Sequence, residues 1–150
     1  MGGISSKTKE LLGELSIEYA NMQMKSVHLH NSLLEGNTKV KKARFNEIRN
    51  YWKFLECLRG ISVGSIAEEE INELIDEVHK LRASRNILIH SFIIKLEGRE
   101  KFLSPKAKSG KKEDFKTIST KGIKELIKNM REAGMAFWGL AIKVSKSSVN

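Results

Sequence analysis

Hydrophobic residues recur along this chain at three- and four-residue steps, the spacing that puts side chains on one face of an α-helix. From 6 to 34 the ladder runs Leu11, Leu12, Leu15, Tyr19, Met22, Ser26, Leu29 and Leu33, and Gly36-Asn37 is a fitting stop. A second helix is expected over 39–59, with Phe45, Ile48, Trp52, Leu55 and Leu58 on its stripe and Gly60 at its end. A third is expected over 66–92, where Ser65-Ile66-Ala67-Glu68 reads as a capping box and Glu68–Glu70 suit the positive end of the helix dipole. Its apolar positions are Ile71, Leu74, Ile75, Val78, Leu81, Leu88 and Phe92.

The period then changes. FIIKLEGREKF (92–102) holds a glycine turn between β-favouring runs, and DFKTIS (114–119) alternates, so one hairpin or short antiparallel ribbon is expected, with SPKAKSGKKE as a basic loop. A last helix is expected over 120–145, carrying Ile123, Leu126, Ile127, Met130, Phe137, Leu140, Ala141 and Val144. The expected fold class is mainly α: a helical bundle of about four helices with a β-hairpin before the last, in a single domain over 1–150.

Composition adds limits. With 40% apolar and 30% charged residues the chain is of ordinary globular make-up, and no apolar run approaches the ~18–20 residues of a membrane span. The start MGGISSKTKE has no apolar signal core, so the expected location is the cytoplasm, with no membrane partner. Cys57, the single cysteine, excludes an internal disulfide and a multi-thiolate zinc site. His28 and His30 stand two apart and point to different faces of a helix, so no metal pair is expected there.

The net charge of +9 is unevenly spread. The segment 95–124 holds ten Lys/Arg against four Asp/Glu, and 39–53 holds six against one, whereas 66–78 carries six acids and no base. Such basic surfaces suit a phosphate backbone through counterion release, or an acidic protein; a solvated lysine-rich face would look the same. Lys95, Lys101, Lys106, Lys108, Lys111 and Lys112 are the candidate RNA-binding residues.

One short stretch breaks the helical pattern. SRNILIHSF (84–92) sets Arg85 and His90 in an Ile/Leu run, and Arg85 falls on the same ladder as Val78, Leu81 and Leu88. A charge on an apolar face is costly unless paired or used. Arg85 and His90 lie about 140° and ~7.5 Å apart on one straight helix, so a site using both is easier to build where two copies cross in a twofold dimer. Asn86 and His90, four apart, share a face with His79 and Arg82 or Ala83. A structural reading stands beside this: a histidine bonded to a carbonyl, and an arginine paired with Glu68–Glu70 or Asp76 of a neighbour.

Arg85-Asn86-Ile87-Leu88-Ile89-His90 resembles the arginine–histidine motif of HEPN domains, in which four to six residues separate the two. The resemblance spans six residues in motif and most of the chain in element order. It implies a homodimer, and in many members a metal-independent endoribonuclease of toxin, defence or RNA-processing systems, with no cofactor and an antitoxin or other protein as partner. It implies His90 as general acid or base for attack of a ribose 2′-hydroxyl on the adjacent phosphate, Arg85 as stabiliser of the phosphoryl charge, and Asn86 as the residue orienting either. The products would be a 2′,3′-cyclic phosphate and a 5′-hydroxyl. HEPN toxins paired with a nucleotidyltransferase antitoxin carry a tyrosine two residues after the histidine; here that residue is Phe92, so the resemblance stops short of that branch. Other members keep the fold without cleavage, as RNA-binding or dimerisation modules, and an unrelated helical interaction protein is the third reading.

Overall fold

The computed structural model describes residues 5–36, 50–59, 68–90, 92–96, 99–103, 115–117 and 119–147, with 34–36, 90, 146–147 and the strands described by backbone. Helix α1 is Ser6–Gly36, α2 is Tyr51–Glu56 and α3 is Glu68–His90; strands β1 (Phe92–Leu96), β2 (Arg99–Leu103) and β3 (Phe115–Thr117) follow, then α4, Thr120–Ser147. The described part is mainly helical. The expected first half of the second helix, with Phe45 and Ile48, and the capping serine Ser65 lie outside the described residues.

The starts of α1, α2 and α4 are capped by residue types that suit them. The Ser5 hydroxyl accepts from the Thr8 amide at 3.1 Å, the Asn50 side chain from Lys53 at 3.3 Å, and the Ser119 hydroxyl from Gly122 at 2.9 Å. Each bond satisfies a first-turn amide that has no partner inside its helix.

Helices α1 and α4 pack along one another, and both α3 and α2 add to their core. From α1 the core takes Leu11, Leu15, Tyr19, Met22, Leu29 and Leu33, and from α4 Ile123, Ile127, Met130, Phe137 and Val144. Arg131 meets Glu14 and Glu18, Gly134 faces Met22 and Lys25, and His28 meets Trp138, so the partners advance in the same direction and the two helices lie parallel. At Gly134 an added Cβ would stand 3.2 Å from Lys25 Cδ, so the glycine serves the close approach of the helices. Gly139 has open space at that position and plays no such part.

The α2 segment departs from the expected stripe. Tyr51, Phe54, Leu55 and Leu58 are buried, and Trp52, expected in the core, is 48% exposed. The phase is set by Tyr51, whose hydroxyl donates to Ser26 Oγ at 2.8 Å while Ser26 donates to the Gln23 carbonyl at 2.6 Å. A buried polar chain satisfied in this way adds to packing, and it turns Trp52 outward.

Beyond α3 the strands form an antiparallel sheet in the order β1-β2-β3. The register pairs Phe92 with Leu103 and Leu96 with Arg99, and then Lys101 with Thr117 and Leu103 with Phe115. DFKTIS thus supplies a third strand.

Candidate active face of the third helix

Helix α3 changes character along its length. Ile71, Ile75, Val78 and Leu81 are buried, one turn after another. After Leu81 the core contact fades: Arg85, Asn86, Leu88 and Ile89 are half-buried, and Ile87 is 44% exposed. The apolar run around the arginine is therefore only partly covered, with Leu88 packed at the edge of the core.

Arg85 is held by its own chain. Its guanidinium carbon stands 4.4 Å from the Tyr19 ring centroid, a cation–π contact, and Nη1 donates to Asn86 Oδ1 at 3.0 Å. Burial pushes the Tyr19 hydroxyl above its ordinary pKa, and the positive charges of Arg85 and then Arg82 oppose that rise. Of the two, Arg85 is the one seated on the Tyr19 ring. The Nε atoms of Arg82 and Arg85 are buried without a hydrogen-bond partner, and neither arginine has a carboxylate partner among the described residues. Asp76, named above as a partner that a neighbouring copy could offer, pairs within its own chain with Arg59 at 2.8 Å.

One turn and more before Arg85, a polar bracket ties α3 to α2. Glu56 receives Arg59 Nε at 2.7 Å and Arg59 Nη2 at 3.0 Å, and lies 2.9 Å from His79 Nε2. The Arg59 hydrogen bonds, opposed by desolvation and aided by His79, hold the Glu56 carboxyl below its ordinary pKa; the same contacts raise that of Arg59. The His79 ring faces Trp52, with centroids 5.7 Å apart and planes at 32°, and its Nδ1 is buried without a partner.

The expected site residues divide accordingly. Arg85 and Asn86 are brought together. His90 is the last residue of α3, one turn beyond Asn86, described by its backbone. Lys95 lies on β1 opposite Glu100, and Lys101 on β2 opposite Ile94. Lys106, Lys108, Lys111 and Lys112 lie outside the described residues. His28 sits against Trp138 and His30 is buried against Phe54. Among the described residues no three His, Cys, Asp or Glu side chains gather as a metal site, and no helix is long and apolar enough to cross a membrane.

Sequence reasoning missed Tyr19 as the seat of Arg85 and the Glu56–His79 bracket. The i,i+3 spacing of Glu56 and Arg59 was a signal for half of that bracket; its closure onto α3 was not written locally. No family model, curated protein or solved structure matches the chain.

Proposed function

We propose that the chain is a HEPN-type, metal-independent endoribonuclease whose composite site forms where the ends of two copies of α3 meet. One observation carries the reading. Arg85 is pre-oriented by Tyr19 and Asn86 on a helix segment where Ile87 is 44% exposed and Leu88 and Ile89 are only half-buried. A second copy covering that run would bring two arginines and two Asn86–His90 faces to one seam, on a strongly basic protein suited to RNA.

In that seam His90 moves the proton of the attacking 2′-hydroxyl or of the leaving 5′-oxygen, and Arg85 stabilises the charge on the phosphoryl oxygens. The assay is cleavage of single-stranded RNAs in EDTA by the parent and by the Arg85→Lys and His90→Ala proteins, with light scattering of each. Cleavage by the parent dimer and loss in both variants supports the reading, because a lysine point charge does not reproduce the planar guanidinium fork. Unchanged cleavage in both variants overturns it, as does a parent that is monomeric at tens of micromolar.

A second reading, a HEPN-like module that binds RNA or a partner without cleaving, is favoured by a specific contact. Arg85 already has internal partners in Tyr19 and Asn86, which suits a structural arginine. RNA binding by a dimer that leaves varied single-stranded RNAs intact is its signature.

A further inference from the structure

Trp52 is the least expected side chain on the surface. A tryptophan exposed to 48% on a short helix forgoes much of the burial its ring could gain, yet its neighbours Tyr51 and Phe54 are buried. Its setting is organised. Its ring stands over His79, which Glu56 holds through Nε2, and Glu56 is held in turn by Arg59, itself anchored on Asp76. Glu56 of α2, Arg59 just beyond it, and Asp76 and His79 of α3 thus fix the surface on which the indole rests.

The bracket beneath it is internally balanced, Glu56 and Asp76 being met by Arg59, and the cations outside that bracket are Lys53 and Arg82. Lys53 is the exposed next residue in sequence, and Arg82 follows His79 by three positions on α3, hence on a neighbouring position of the same face. Arg82 is half-buried, with a buried Nε that has no partner and no carboxylate to neutralise it among the described residues. A rigid aromatic face beside unneutralised cations is what a single-stranded nucleic acid needs: a plane for the base and positive charge for the phosphate.

We propose that Trp52, backed by His79, is the stacking platform for an unpaired base of single-stranded RNA, with Arg82 taking an adjacent phosphate. This deepens the RNA reading above, on which it rests, by giving the site a strand-positioning surface one to two helical turns before Arg85. Because every base has a π-face, the platform selects unpaired strand over duplex and not one sequence over another.

The test uses a fluorescein-labelled, fully 2′-O-methylated RNA decamer, which lacks the attacking hydroxyl, with anisotropy titrations across a salt series. Trp52→Ala is expected to weaken binding about tenfold or more with the salt slope unchanged, and Trp52→Phe to retain most of the affinity. Arg82→Gln is expected to weaken binding and to reduce the slope by roughly 0.7, the loss of about one single-strand phosphate contact. In a Trp138→Phe protein, where Trp52 is the sole indole, the decamer should quench emission saturably, and its duplex form should not. Parent-like binding by Trp52→Ala overturns the platform while leaving the RNA reading standing, and so does a Trp52→Ala protein that loses its dimer, since the indole would then be an interface residue. A parent that binds no RNA at low salt overturns both. Trp52-dependent binding by a parent that does not cleave unmodified RNA keeps the platform and removes the nuclease.

Discussion

The two ends of α3 are built from similar residues and do different work. Over its first four turns Ile71, Ile75, Val78 and Leu81 enter the core, and the polar face is tied down by Asp76 with Arg59 and by His79 with Glu56. Over its last turns Ile87 is 44% exposed and Leu88 and Ile89 are only half-buried, and the cations Arg82 and Arg85 lack acidic partners among the described residues. The first end pairs its charged groups, His79 Nδ1 being its buried atom without a partner. The second leaves part of its apolar surface and its positive charge unspent, which is where the proposed second copy and RNA would bind.

The largest expected effect separates the ends by chemistry. His90→Ala should lower RNA cleavage by ~10²–10⁴ while thermal unfolding of the protein stays within experimental scatter of the parent. A matching loss of stability would place His90 with the structural end. Next, Ile75→Ala should cost about 2–5 kcal/mol in urea unfolding, since it empties a fully buried site, whereas Ile87→Ala should stay within about 0.5 kcal/mol when the monomer is measured. Ile87→Glu should instead abolish association in light scattering. Equal destabilisation by the two alanine variants would erase the distinction.

A smaller effect belongs to the bonded core. Tyr51→Phe should cost about 1 kcal/mol through the lost bond to Ser26. Burial raises the Tyr51 hydroxyl above its ordinary value of 10.0, so the native state holds that proton more tightly than the unfolded chain does. Its contribution is therefore full below pH 10 and falls as pH rises past it, and Tyr51→Phe should flatten that alkaline fall.

The smallest effect lies in the bracket. The Glu56 carboxyl sits below its ordinary 4.5, so the stability it contributes is present above that pH and is lost as pH falls through the lower native value. Glu56→Gln should flatten stability over that acid window and change it at neutral pH by no more than the ~0–1 kcal/mol of a solvent-screened ion pair. A variant that keeps the parent's acid limb would show that another carboxylate sets it.

Helices were legible where one face is buried throughout. The ladder of α1 from Leu11 to Leu33 and the run from Ile123 to Val144 follow directly from a 3.6-residue period, and their members are buried except Leu12 and Leu126, which are half-buried at the edge of the core. Trp52 was misread because Leu55 and Leu58 fit two phases equally well, and only the tertiary bond from Tyr51 to Ser26 chooses between them. At the site the break in pattern at Arg85 was visible in sequence. Its seat on Tyr19, 66 positions away by number, was not, and neither was the reach from Glu56 to His79, because such contacts depend on how helices cross. Arg59 and Asp76 likewise carry no local mark of their pairing.

The parallel course of α1 and α4 has a consequence for how the chain comes together. Arg131 and Glu14 are separated by 117 positions and Met135 and Lys25 by 110, so the seam that organises the core joins the earliest helix to the latest. A growing chain could match part of α1 early, through Tyr51 with Ser26 and Phe54 with His30, but its seam with α4 waits for the end of the described chain, and that closure must recover the entropy of a very long loop. Folding should accordingly be slower than in a helical bundle built of neighbouring hairpins, and a chain stopped before α4 should keep α1 soluble only with help from another molecule that covers the same face.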